Sequence, residues 1–185
     1  MSNQIIYSNN LKIITVPNPL LRQKSAPVKV FDKNLREFCQ KLANLISNPP
    51  KTADVEFAGI SAPQVGILAQ IFVAKIANKI KSFVNPEILT HSEEKVDFIE
   101  GCLSIPNFYG HVVRPAEIDL KFQNPKGLNF TNHYTGLPAR IIQHEVDHLA
   151  GILFIDHVHS QSGKLYKVIG KDEKGEIKLA EVVVV

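Results

Sequence analysis

Residues 137–151 read Leu-Pro-Ala-Arg-Ile-Ile-Gln-His-Glu-Val-Asp-His-Leu-Ala-Gly, and this stretch decides how the chain is interpreted. Its apolar residues recur at helical spacing and Gly151 is a stop signal, so we expect a helix that ends there. On such a helix His144 and His148 lie one turn apart on the same face, close enough to bind one metal ion. Glu145, beside the first histidine, could then take a proton from a metal-bound water.

A His-Glu-x-x-His sequence also occurs by chance on exposed helices that bind nothing, so alone it does not separate the two interpretations. The rest of this helix is strongly apolar, as shown by Leu137, Ile141, Ile142, Val146 and Leu149. Its ionisable side chains need partners if they are buried, because an unpaired buried charge is costly. A bound metal ion would provide a partner for His144, Glu145 and His148, and this favours a metal site.

Composition places the chain among ordinary soluble proteins. Of its 185 residues, 44% are hydrophobic and 21% are charged, and the net charge is only +3. The dispersed basic residues argue against DNA or RNA as a main partner, and no apolar run is long enough for a membrane helix. Residues 1–10 lack the features of a secretory signal, so we expect a reducing cytoplasm and free thiols at Cys39 and Cys102.

The remaining pattern predicts one α+β domain over residues 1–185, with mostly antiparallel strands around the central helix. A first helix is expected over residues 34–47, with Asp32 as its N-cap. Short strands are expected at residues 11–16, 70–76, 81–84 (closed by Asn85-Pro86), 95–99, 117–122 and 128–134, with a hairpin of residues 165–169 and 177–185 at the end.

A metal held by two histidines needs a further protein ligand and an open position for water. The residues alone leave several candidates, which are Cys102, other carboxylates, His91, His111, His133, His157 and His159. Cys102 is the most notable by context, because it follows a strand-like run and a glycine that allows close approach of a second element. Spacing along the chain does not choose among them.

Three segments together resemble the peptide deformylase family. They are Gly59-Ile60-Ser61-Ala62-Pro63-Gln64, Glu100-Gly101-Cys102-Leu103-Ser104 and Gln143-His144-Glu145-Val146-Asp147-His148, in the family's order and approximate spacing. The resemblance implies an α+β fold and one divalent metal ion held by Cys102, His144 and His148. That metal is typically Fe(II), with zinc, nickel or cobalt able to substitute.

The activity implied by the resemblance is removal of the N-formyl group from the formylmethionine of newly made polypeptides, with release of formate. Glu145 would be the general acid and base, while Gln64 and the backbone N–H of Leu103 would donate to the oxyanion. The backbone at Gly59 and Ile60 would pair with the extended peptide. The methionine pocket would use Phe98, Leu137 and Ile141, and Glu100 and Arg114 would form a supporting ion pair.

The sequence departs from the family's first motif, Gly-x-Gly-x-Ala-Ala-Pro-Gln, at two positions. Phe57 replaces the first glycine, where it could narrow the cleft or shift its rim, and Ser61 replaces the first alanine. The strand-like ending resembles the branch of the family with a β-type C-terminus. Since the metal ligands, Glu145 and Gln64 are unchanged, we expect an active enzyme.

Two other functions compete with this one. A zinc peptidase would leave Cys102 and Gln64 without a role, and residues 156–159 do not form the usual pattern of a downstream ligand. A non-catalytic peptide-binding relative, or one with an altered substrate, is supported only by Phe57. For the enzyme, the expected partners are nascent formylated chains, with a transient ribosome contact, in a bacterial cytoplasm or an organelle.

Overall fold

The computed structural model describes residues 11–48 and 58–182. These contain three α-helices, which are α1 (Lys33–Ser47), α2 (Gly136–Ala150) and α3 (Phe154–Ser160). The strands are β1 (Gly59–Ser61), β2 (Ile71–Ile76), β3 (Lys79–His91), β4 (Lys95–Cys102), β5 (Ile105–Pro115), β6 (Glu117–Gln123), β7 (Asn129–Thr135), β8 (Leu165–Lys171) and β9 (Ile177–Val182). None of the described helices is long and apolar enough to cross a membrane.

The strands form two sheets, and every pairing between these strands is antiparallel. One sheet has the order β1-β2-β3-β6-β7 and the other has the order β4-β5-β8-β9. The predicted α+β class with antiparallel sheets is therefore confirmed.

Helix α2 lies between the two sheets and presents a different chemistry to each. Ala139, Ile142 and Leu149 pack with apolar residues of β2, β3, β6 and β7 in a common core. On the other side Arg140 donates to the carbonyl oxygens of Val96 and Val112 at 2.5 and 3.0 Å. Because both faces of α2 are covered, the ionisable residues between them are held in a dry environment.

The ends of the two long helices follow the predicted signals. The Asp32 side chain caps α1 by accepting from the Leu35 N–H at 2.9 Å. Gly151 ends α2 with φ +77°, a conformation that favours glycine. A Cβ there would also lie 2.6 Å from the carbonyl oxygen of Arg22, so both the conformation and the space require glycine.

Two strand predictions are wrong. Residues 11–16 form no strand, because their donors go to separate loops: Ile14 N–H to the Gln64 carbonyl (2.8 Å) and Val16 N–H to the Ser104 carbonyl (2.9 Å). The strand expected to close at Asn85-Pro86 instead continues to His91 as β3. The pairing with β6 shifts register between Val84 and Glu87. Pro86, which has no N–H to donate, therefore lies within a bulge and interrupts no regular pair.

Other predictions are confirmed by the structure, including the helix over residues 137–150, the β6–β7 hairpin and the β8–β9 hairpin as far as Val182. Cys39 and Cys102 are both free thiols. Strand β5 was not predicted from the sequence. Phe57 and residues 183–185 lie outside the described residues. The effect of Phe57 on the width of the cleft therefore stays a prediction.

Candidate metal centre

Three side chains converge where the end of β4 meets α2. Cys102 ends β4, while His144 and His148 lie one turn apart on α2, as the sequence predicts. One ligand atom from each lies within 4.8 Å of the others, and Cys102 Sγ is 3.2 Å from His148 Nε2. Two imidazoles and a thiol at this separation are the nitrogen and sulfur donors that bind zinc or iron.

The other histidines considered as ligands lie elsewhere. The His157 Nε2 atom pairs with Asp147 Oδ2 at 2.8 Å, His111 pairs with Asp97, and His133 pairs with Asp119. Among the described residues, the group that could hold a metal consists of Cys102, His144 and His148. The structure thus selects Cys102 from candidates that the sequence left open.

Glu100 organises the outer side of this cluster. It accepts from Arg114 Nε and Nη2 at 2.7 and 3.0 Å, from Arg140 Nη1 at 2.6 Å, and pairs with His144 Nδ1 at 3.0 Å. Burial alone would raise its pKa, but the hydrogen bonds from His144 and Arg114 hold the pKa of this carboxyl well below its usual range. Glu100 is therefore a fixed anion that pairs with His144 Nδ1 and so leaves Nε2 as the ring nitrogen that could bind a metal.

The expected ion pair between Glu100 and Arg114 is present, and it belongs to a larger network. Arg114 Nη1 also donates to Asp147 Oδ2 at 2.7 Å, and Arg140 is a second arginine that donates to Glu100. Sequence reasoning missed Arg140 and Asp147. Their importance could have been inferred from the sequence, because positions 140 and 147 are charged in a helix that is otherwise predicted to be buried.

Glu145 has the opposite surroundings. It is buried, and its Oε2 has no hydrogen-bond partner among the described residues. Burial raises the pKa of its carboxyl to about 7, with partial compensation from the nearby His144 charge and a hydrogen bond with Ser61. A Cβ on Gly59 would lie 2.5 Å from Glu145 Oε1, so the glycine leaves the space that this carboxyl occupies.

Gln64 is fixed with its amide nitrogen toward the cluster. Its Oε1 accepts from the Ser61 N–H at 2.8 Å and the Ser61 hydroxyl at 3.0 Å. Its Nε2 is then directed to Cys102 Sγ and Ser104 Oγ, at 3.6 and 3.4 Å. Ser61, which replaces an alanine of the family pattern, therefore contacts both Gln64 and Glu145. Sequence reasoning gave it no role.

A cavity of about 530 Å³ opens beside the cluster. The expected site residues that line it are Gly59, Gln64, Phe98, Cys102, Leu103, Leu137, Ile141, His144 and Glu145. Ile60 differs, because its side chain is fully buried in the core. Tyr109, Val168 and Ile177 also line the cavity and were not singled out from the sequence.

The fold and this cluster define a metal-dependent hydrolase, with three ligand side chains and a buried carboxylate beside them. The polypeptide deformylase family model matches residues 10–164. The chain belongs to the polypeptide deformylase family.

Two curated relatives support this assignment over most of the chain. Peptide deformylase of Zymomonas mobilis is 37% identical over 174 residues, covering 89% of this chain and 95% of the relative. Chloroplastic/mitochondrial peptide deformylase 1B of Arabidopsis thaliana is 37% identical over 165 residues, covering 86% of this chain. This chain spans 58% of the length of the Arabidopsis protein. A crystal structure of a plant peptide deformylase PDF1B superposes with a TM-score of 0.78 at 36% identity, covering 85% of each chain.

Proposed function

We propose that this chain removes the N-formyl group from the N-terminal formylmethionine of newly made polypeptides and releases formate. The carrying observation is the buried Glu145 carboxyl, whose Oε2 has no hydrogen-bond partner among the described residues, beside the Cys102, His144 and His148 cluster. Hydrolysis of a formamide needs a group that takes a proton from water and returns it to the departing amine, and this carboxyl is placed for both transfers.

The donor set fits a divalent metal ion. Cys102, His144 and His148 would hold it, because one ligand atom from each lies within 4.8 Å of the others. The proposed native ion is Fe(II), since a thiolate and two imidazoles suit it, with zinc, nickel or cobalt able to substitute. When bound, such an ion lowers the pKa of water and polarises a carbonyl.

Glu145 acts as general base and then as general acid. A carboxyl whose pKa is raised to about 7 exchanges protons readily at neutral pH. It accepts a proton from the attacking water and later delivers it to the amine nitrogen as the C–N bond breaks. Although Glu145 lines the cavity, only 4% of it is exposed, and this burial maintains its raised pKa.

Gln64 and Leu103 stabilise the oxyanion that forms at the formyl oxygen. Ser61 holds the Gln64 amide so that Nε2 is the group facing the cluster. The Leu103 N–H is proposed as a second donor because Leu103 directly follows Cys102 and lines the cavity. Each such donor is typically worth roughly 3–4 kcal/mol of the barrier.

The peptide is held by main-chain pairing along β1. This strand is at the edge of its sheet, and Lys75 N–H donates to the Ala58 carbonyl at 2.8 Å. In antiparallel pairing the residues alternate, so the backbone groups of Ile60 face β2 and those of Gly59 face away from it. Gly59 is thus the residue that can pair with an extended substrate, while Ile60 anchors the strand in the core.

The methionine side chain would enter the apolar part of the cavity at Phe98, Leu137 and Ile141. Phe98 and Leu137 are 49% and 59% exposed, which leaves large apolar groups available for burial by a ligand. Main-chain pairing reads no particular sequence, which suits an enzyme acting on many nascent chains. We place it in a bacterial cytoplasm or an organelle, in transient contact with ribosomes.

The test is formate release from formyl-Met-Ala-Ser by protein purified without oxygen and loaded with Fe(II) or Ni(II). Acetyl-Met-Ala-Ser is the matched control, because it has the same peptide with a bulkier acyl group. We expect turnover of the formyl peptide and little or none of the acetyl peptide. Fully metallated protein that releases no formate would contradict the proposal.

A further inference from the structure

The cavity beside Cys102 is not formed by the family-matched region alone. Val168 on β8 and Ile177 on β9 both line it. The family match ends at residue 164, so this hairpin lies outside the matched region. The family match therefore says nothing about a role of this hairpin in substrate binding, and such a role follows only from the contacts of the hairpin itself.

The strand register places these two residues on one face of the four-stranded sheet. Tyr109 lies opposite Tyr166, and Val168 lies opposite Leu179. Residues directly opposite share a face, as do residues two apart on one strand. Tyr109, Tyr166, Val168, Leu179 and Ile177 consequently lie on one face as an apolar strip, and Tyr109, Val168 and Ile177 of this strip line the cavity.

This strip begins next to the metal cluster. Gly101, which precedes Cys102, lies opposite Tyr109, and a Cβ on Gly101 would be 2.7 Å from the tyrosine ring. Strand β8 is two strand spacings from β4, which corresponds to roughly 10 Å. An extended peptide covers that distance in about three residues.

We propose that the β8–β9 hairpin forms an apolar subsite, through Val168 and Ile177, for the third or fourth residue of the formylated peptide. This rests on the proposed deformylase function and adds a substrate preference to it. The lining is apolar, so the subsite favours leucine-like side chains over charged ones at that position. Peptides that end before this position gain nothing from it.

The test compares two substrates, formyl-Met-Ala and formyl-Met-Ala-Leu-Leu, on metal-loaded wild type and the double variant Val168→Ser/Ile177→Ser. Both replaced side chains are only partly buried, so the fold should persist, and thermal unfolding of each protein checks this. We expect kcat/KM for the longer peptide to fall about threefold to tenfold, mainly through KM. The value for formyl-Met-Ala should change less than about twofold.

Ile169→Ser is the matched control on the same hairpin. Ile169 is 64% exposed, lies at the register shift between Val168 and Gly170, and does not line the cavity. It should leave both substrates unaffected. Equal losses on the two peptides in the double variant, or a control that behaves like the double variant, would overturn the subsite.

Calorimetric binding of the product peptide Met-Ala-Leu-Leu gives a readout that does not need turnover. A weaker affinity in the double variant than in Ile169→Ser supports the subsite, and equal affinity overturns it. If the proposed function itself were wrong, the result would differ, because wild-type protein would release no formate from formyl-Met-Ala.

Discussion

Two buried glutamates beside the same candidate metal cluster have opposite surroundings. Glu100 is 6% exposed and Glu145 is 4% exposed, so burial does not distinguish them. Glu100 receives hydrogen bonds from Arg114 and Arg140 and pairs with His144, whereas Glu145 Oε2 has no partner among the described residues. The pKa of Glu100 is lowered, and that of Glu145 is raised to about 7.

This difference separates two tasks. A carboxyl held ionised by cations cannot exchange protons near neutral pH, but it can hold a histidine in one orientation. A carboxyl whose pKa is raised by burial is a weak structural element and a good proton carrier. We therefore propose that environment, rather than residue type, assigns support to Glu100 and proton transfer to Glu145.

The largest effect on activity is expected for Glu145→Gln. The amide has the same shape but cannot carry the proton, so kcat should fall about 10²–10⁴-fold with the metal still bound. The free energy of unfolding should stay about equal, because the buried amide keeps the shape of the carboxyl and can still accept the hydrogen bond from Ser61. Steady-state formate release and chemical denaturation measure the two quantities. A large loss of stability would show that Glu145 also supports the fold.

The largest effect on stability is expected for Glu100→Gln. Removing the anion leaves Arg114 and Arg140 buried without their common partner, which typically costs about 3–5 kcal/mol of unfolding free energy. His144 also loses its orienting carboxylate, so metal affinity should fall about 10–100-fold. Urea unfolding and metal titration report these changes. Wild-type values for both would remove Glu100 from its supporting role.

A smaller loss is expected for Gly59→Ala, which tests how strictly Glu145 is positioned. The new Cβ would approach Glu145 Oε1 to 2.5 Å, so the carboxyl must move. A displacement of this kind can lower kcat by up to about a hundredfold. In the double variant with Glu145→Gln the two losses should not add, because both act on the same group. Additive losses would place the effect of Gly59 elsewhere.

The smallest effect is expected at Asp156, an exposed acid that contrasts with both buried glutamates. Burial opposes ionisation, but the hydrogen bonds from Arg22 and the Leu153 N–H, with the nearby charges, together outweigh it and lower the pKa of this carboxyl. A lowered pKa in the folded state adds stability that is fully present above the unfolded pKa of about 3.9 and is lost as pH falls below it.

Asp156→Asn keeps an acceptor for the Leu153 N–H and removes only the ion pair with Arg22. We expect it to be less stable than wild type by under about 1 kcal/mol at pH 7, because such pairs are largely solvated. The difference should shrink as pH is lowered through the range of about 4 to 2. A difference that stays constant with pH would show that the ion pair is not its cause.

The sequence was sufficient where local pattern and structure agree. The helical spacing of residues 137–150 and the stop at Gly151 predicted α2 and the paired histidines, and alternating strands predicted the β6–β7 hairpin. Resemblance, rather than spacing, predicted Cys102 as the third ligand, and the structure places it beside the two histidines. The Glu100–Arg114 pair was also inferred from resemblance.

Long-range contacts account for what the sequence did not predict. Residues 11–16 have strand-like composition, but their hydrogen bonds go to two different loops and no ladder forms. The roles of Arg140 and Ser61 depend on which groups the fold brings near Glu100 and Glu145, and no local pattern encodes this. The hairpin residues at the cavity depend on the β5–β8 register in the same way.

The division of roles between the two glutamates is tested most directly by activity as a function of Ni(II) concentration for wild type, Glu100→Gln and Glu145→Gln, with bound metal measured in each. The Glu100→Gln curve should shift to about 10–100-fold higher metal and then recover substantial turnover. The Glu145→Gln curve should stay low at every concentration although the metal is bound. Recovery of Glu145→Gln with added metal would contradict the proton-transfer role, and a fully metallated but inactive Glu100→Gln would contradict the separation of tasks.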